Sequence, residues 1–257
     1  MFDQPFARPY ALHSVDPRVR LALAALLALG VSPLRDVTAC CLALALGLLL
    51  LAAARMPLRP LAQRLAVVNI FVLFLWCVTP LTVPGTPLIQ WNTFWGPLAV
   101  SHEGVRLTTL VSLKSNAVVC IFLALTAGMT SSTAARALED LRCPRKLVFL
   151  FLFTARHVHL LAQEWRCLHE SARLRGFRPS TGMHTYKTLA SLLGLLLVRG
   201  HERGRRMREA MLLRGFSGTL HALGDFRLRG TDVLFALALL AGLAGILMTE
   251  WAGKNHV

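Results

Sequence analysis

Acidic side chains are scarce in this chain: 13 Asp and Glu stand against 28 Lys and Arg in 257 residues, a formal net charge of +15. The few carboxylates are scattered, so no pair is placed for general acid–base work. No nucleophile, base and orienting group stand together either. A phosphate loop of the GxxxxGK[ST] type is missing, so any ATP must be hydrolysed on another chain. No CxxC pair occurs. The six cysteines are dispersed, with Cys40-Cys41 inside an apolar run, which suits packing residues or idle thiols rather than disulfides or zinc ligands. Nine histidines are present, but the closest pair, His157-x-His159, points to different faces of a helix, and no His-x-x-x-His has acidic support. The expectation is therefore no metal and no cofactor bound by this chain. Asp3, His13 and Asp16 are expected to be solvated. The polar and aromatic start, and an apolar run from Leu21 without a small-residue cleavage site, argue against a cleavable signal peptide.

What is abundant is apolar sequence. Fifty-five per cent of the residues are hydrophobic, which with so basic a balance is unusual for a soluble domain of this size. Asp16-Pro17 marks a helix start, with Asp16 as N-cap. Five apolar runs follow, at Leu21–Leu34, Val37–Ala54, Leu65–Leu81, Val105–Gly128 and Thr231–Thr249. The first is short and reaches spanning length only if Arg18 and Arg20 snorkel at its start. Residues 82–103 contain no Lys or Arg but carry Trp91, Trp95 and several Pro and Gly, as expected of a loop at the outer interface.

Residues 130–229 hold 18 of the 28 basic residues, in helices that are amphipathic rather than uniformly apolar. One helix is expected from Pro144 to about Arg175, a second from about His184 to Arg214. Leu147–Leu152 and Leu189–Val198 are too short to span, and each suits a membrane surface or the underside of a bundle. With the N-terminus in the cytoplasm, every basic cluster falls on the cytoplasmic side. A rival count of six spans would put Arg156, His157 and His159 in the bilayer, where a central Arg costs about 2.5–3.5 kcal/mol. The expected fold is all-α: a polytopic membrane protein of about five transmembrane helices plus long amphipathic cytoplasmic helices. Its parts are a four-span bundle (1–128), a cytoplasmic region (129–229), and a last transmembrane helix with a short tail (230–257).

The sequence Leu174-Arg175-Gly176-Phe177 recurs letter for letter as Leu213-Arg214-Gly215-Phe216, with Ala172 before the first and Ala210 before the second. Glycine just past a helix takes the left-handed cap, and arginine in the last turn complements the helix dipole, so two ordinary basic helix ends are one reading. An identical tetrapeptide at two helix ends favours another. Each Arg presents a five-donor fork able to enter a groove and bind carboxylate or carbonyl groups. Leu174 and Leu213 would add apolar contact, with Phe177 and Phe216 anchoring the turns. Lys114, inside the fourth span, either pairs with a partner in the membrane or is satisfied within the bundle by Ser115, Asn116 or neighbouring carbonyls.

These residues resemble the transmembrane (T) component of energy-coupling factor transporters, most closely the CbiQ branch serving cobalt or nickel uptake. The resemblance rests on His13-Ser-Val-Asp16-Pro17-Arg18-Val-Arg20-Leu21, Glu103-Gly104, Lys114, Thr154-Ala-Arg156 and Glu164. It continues through Ala172-Arg173-Leu174-Arg175-Gly176, Glu202-Arg203 and Ala210-Met-Leu-Leu-Arg214-Gly215-Phe-Ser-Gly218. The two Arg-Gly signatures are its specific part. The family often has Arg where this chain has Lys114, and an aromatic where it has His157. The resemblance implies a non-catalytic subunit of the inner membrane whose two signatures dock on two nucleotide-binding ATPase subunits. ATP and Mg would sit on those subunits. A separate membrane S component, CbiM-like, would bind the substrate, with a small accessory membrane subunit also compatible. Lys114 and Arg156 become candidates for S-component contact or the bundle interior. A different class, an integral membrane enzyme acting on phosphorylated lipid or isoprenoid substrates, draws only on the density of arginine. Basic surface helices binding anionic lipid or nucleic acid leave the repeat unexplained, and no nucleic-acid partner is expected.

Overall fold

The computed structural model describes residues 15–54, 58–93, 96–216 and 230–254. Asp3, His13, Arg55 and Ser217-Gly218 lie outside them. Two compact units are found, one formed by 1–130 with 226–257 and the other by 131–225.

The first unit contains α1 (Pro17–Val31), α2 (Val37–Ala54), α3 (Leu58–Thr82), α4 (His102–Thr126) and α8 (Gly230–Lys254). Four helices among the described residues are long and apolar enough to cross a membrane: Val37–Ala54, Leu61–Thr82, His102–Thr126 and Gly230–Trp251. The fifth expected span, α1, has 15 residues, about 22 Å at the rise of an α-helix, short of a ~30 Å hydrocarbon layer. It starts where the sequence indicated, with Pro17 in the first turn and the Asp16 carboxylate accepting from Arg18 N at 3.0 Å, but Asp16 is buried rather than solvated.

Close helix approach in this unit follows from small residues. Along α2, Ala39, Ala43, Gly47 and Ala54 are buried, as are Ala117, Cys120 and Ala124 on α4. A Cβ placed on Gly47 would stand 3.1 Å from Cys120 Cβ and 3.2 Å from Ala117 O. Small residues of this kind let helices pack by dispersion where lipid removes the hydrophobic drive. Leu23, Leu27 and Val31 complete the core from α1.

The helix ends within this bundle are closed by charged side chains from distant helices. Arg20 does not snorkel: it is 3% exposed and turned inward. Its Nε donates to Leu125 O at 2.8 Å and its Nη2 to Ala127 O at 2.5 Å, closing the C-terminus of α4. Lys114 Nζ donates to Ser32 O, the C-cap of α1, at 3.1 Å. The Glu250 carboxylate accepts from Arg35 N at 2.8 Å and Asp36 N at 2.9 Å, just ahead of α2. Each charge therefore meets backbone groups that a helix end leaves unpaired, with the sign the helix dipole favours.

The interfacial segment expected as a loop is instead an antiparallel hairpin of β1 (Pro87–Thr93) and β2 (Gly96–Ser101), irregular near Pro87. Reading Pro, Gly and Trp as loop markers overlooked the extended runs between them, where Ile, Trp, Thr and Val favour a pleated surface. Pairing the strands satisfies their backbone groups locally. The hairpin delivers Ser101 as N-cap of α4, its Oγ accepting from Gly104 N at 3.1 Å. Gly104 is required there by contact, since a Cβ would fall 2.8 Å from Pro80 Cα.

The second unit contains α5 (Ser131–Asp140), α6 (Arg145–Leu174) and α7 (Met183–Leu213). α6 and α7 have 30 and 31 residues, long enough to span but outside the apolar set. Their limits match the sequence reading, with Pro144 as N-cap of α6, Arg175 as its C-cap, and Arg214 as C-cap of α7. The two helices run antiparallel. Near mid-length the Glu164 carboxylate takes Arg199 Nη1 at 2.5 Å and Arg203 Nη2 at 3.3 Å. A Cβ on Gly200 would meet Leu161 Cδ2 at 3.2 Å, so close approach as well as charge fixes the pairing.

Candidate docking site

The repeated tetrapeptide forms the same structure twice. At the end of α6, Gly176 N donates to Arg173 O at 3.0 Å and Phe177 N to Ala172 O at 3.1 Å. At the end of α7, Gly215 N donates to Leu212 O and Phe216 N to Met211 O, both at 3.0 Å. Both are Schellman caps, with the glycine at the left-handed position that a Cβ disfavours. Gly176 has φ +85° and Gly215 φ +77°, and neither would meet a neighbouring atom if given a Cβ. Backbone conformation, not crowding, therefore selects glycine here.

The side chains are presented alike. Leu174 and Leu213 are each 90% exposed, the most exposed large hydrophobic side chains among the described residues. Arg175 and Arg214 are exposed beside them, and the phenylalanines that follow are half-buried. Each helix tip thus exposes a leucine beside an arginine, an apolar surface joined to a five-donor fork. With Phe216 stacked on Phe149, the two tips lie about 40 Å apart along α6 at ~1.5 Å per residue.

The two alanines are not equivalent. Ala172 is half-buried and its carbonyl accepts the cap bond, whereas Ala210 is exposed and its place in the cap is taken by Met211. Arg156 is exposed on α6, and the adjacent His157 lies with its ring 3.9 Å from that of Phe153 and Nδ1 2.7 Å from Phe153 O. Lys114 belongs to the other unit and meets Ser32 O, as described. Asn116, two residues on, donates its Nδ2 to Asn69 Oδ1 at 3.1 Å. Among the described residues no group of three or more His, Cys, Asp or Glu is placed to hold a metal ion.

Sequence reasoning missed the aromatic contacts behind the tips. Phe149, Phe153 and His157 stand at i, i+4 and i+8 on α6, a spacing that signals one helix face. It missed the partners of Arg20, which lie more than a hundred residues away. It also missed Arg142, which closes α5 at φ +64° where glycine would be expected, with Arg142 N on Glu139 O and Cys143 N on Leu138 O.

Residues 10–223 match the model of the family described as CbiQ, cobalt transport protein. No curated protein matches the chain. The match spans all of α1 to α7, including both capped tips and the apolar helices α2, α3 and α4. The chain is thus a polytopic, mainly helical membrane protein that belongs to the CbiQ family of cobalt transport proteins.

Proposed function

We propose that this chain is the non-catalytic transmembrane coupling subunit of an ATP-driven importer of the energy-coupling factor type. Two nucleotide-binding subunits, holding ATP and Mg, take one arginine tip each. Their closing moves α6 and α7 and reorients a membrane S component that carries the substrate, cobalt or nickel. The chain lies in the inner membrane with its N-terminus and the 131–225 unit in the cytoplasm, an orientation supported by the basic excess of that unit and by the absence of Lys and Arg from 82–103.

The observation that carries this reading is the duplication of one cap with one exposed leucine and one exposed arginine at two helix ends. Capping alone needs glycine; it does not need Leu-Arg-Gly-Phe twice. A carboxylate in a partly desolvated groove gains about 1.5–3 kcal/mol from each charge-assisted hydrogen bond. Replacing one arginine by alanine should therefore lower ATPase affinity on the order of ten- to a hundredfold.

Tagged chain is purified from membranes of cells that co-express the ATPase subunits and S component of a cobalt transporter, and the ATPase recovered with it is quantified. Arg175→Ala and Arg214→Ala should each reduce recovery or uncouple ATP hydrolysis from uptake, and the double variant should abolish both, while membrane insertion is unchanged. Wild-type ATPase recovery together with wild-type uptake in the double variant refutes the proposal.

A further inference from the structure

The two tips share one backbone cap but not one foundation. A Schellman cap commonly sets the residue after its glycine against its own helix. Phe177 does so: its ring meets the edge of His169 on α6, centroids 6.3 Å apart, and His169 stacks on Trp165 of the same helix at 6.1 Å. Phe216 follows α7 but stacks on Phe149 of α6, centroids 5.5 Å apart and planes 30° from parallel. From Phe149 the stack continues to Phe153 at 5.8 Å and to His157 at 3.9 Å, so the ladder runs along one face of α6.

We infer that Phe216 and Phe149 are positioning residues that brace the α7 tip onto α6, making the two tips mechanically unequal. This rests on the coupling role proposed above. Beyond the Glu164–Arg203 contact, α7 continues for three turns to Arg214 with mostly exposed side chains. Without a second contact its end would be a cantilever. The stack supplies that contact at the last residue of the cap, so a push on Arg214 reaches α6 directly. A push on Arg175 enters α6 along its own axis and needs no bridge. Each phenylalanine thus transmits motion without touching a partner.

The test reads the tips and the coupling separately. Spin labels are placed at Leu213→Cys or Leu174→Cys in a cysteine-free chain. Phe216→Ala and Phe149→Ala should each increase label mobility at 213 and leave 174 unchanged; an unchanged spectrum at 213 overturns the inference, whatever the chain's partners. In the reconstituted complex, with cobalt(II) as the transported probe, each of the two variants should retain ATPase but lose about two- to tenfold in cobalt moved per ATP, the span expected for one aromatic pair. The double variant should fall no further than either single one, and Phe216→Trp should restore the ratio. A wild-type ratio in Phe216→Ala, additive loss in the double variant, or an equal loss in Phe177→Ala overturns the inference while leaving the coupling role intact. Failure of wild-type chain to recover any ATPase removes the coupling role instead, and the label measurement then stands alone.

Discussion

Arg20→Met puts the helix-end closure to a quantitative test. The methionine fills much of the same space without donors, and the Leu125 and Ala127 carbonyls lose the guanidinium fork that reaches both. Each orphaned, buried carbonyl costs about 1–3 kcal/mol, and removing the guanidinium returns part of its desolvation cost. The net loss should be about 2–4 kcal/mol. Arg20→Lys is the informative control. A single ammonium reaches one carbonyl and keeps a buried charge with half its partners, so it should destabilise at least as much as methionine. The assay is thermal unfolding of detergent-purified protein, with an expected fall in Tm on the order of 5–10 °C for either variant. A lysine variant with wild-type Tm would show that charge suffices and the fork is irrelevant. A methionine variant with wild-type Tm would show that the α4 carbonyls find water instead, and the account of closed helix ends would fail.

Two further outcomes follow from the backbone. Gly104→Ala drives a Cβ to within 2.8 Å of Pro80 Cα, a backbone atom with little freedom to move. It should cost roughly 1–3 kcal/mol, read as a lower Tm, and an unchanged Tm would mean that α3 and α4 are not in contact there. Arg142→Gly should act in the opposite direction, because Arg142 holds φ +64°. Relief of the left-handed conformation is worth about 1 kcal/mol and should raise Tm by a few degrees; a lower Tm would show that the Arg142 side chain contributes more than its backbone costs.

The parts of this molecule that were legible in the sequence are those whose causes are local. Asp16-Pro17 and Pro144 announced helix starts, and Arg-Gly announced helix ends, because caps are decided within four or five residues. Apolar runs gave α2, α3, α4 and α8 because length and composition alone make a span. In the first helix the inward turn of Arg20 has a cause that is not local. The fate of Arg20 depends on carbonyls brought to it by α4, so snorkelling and inward burial could not be told apart from the run itself. Glu250 is likewise far in sequence from the amides it receives. The β1–β2 hairpin was hidden because proline, glycine and tryptophan mark turns and interfaces as readily as strand ends. At the tips, residue identity is legible locally, while the exposure of Leu174 and Leu213 depends on how α6 and α7 pack.

Within each tip the amides of Gly176, Phe177, Gly215 and Phe216 already have acceptors inside their own turn. A group meeting either helix end would therefore find these amides out of play and would be met by side chains and by the carbonyls of the last turn. The exposed residues of each tip can therefore be exchanged while the turn beneath stays as it was, because the cap is closed by backbone groups alone.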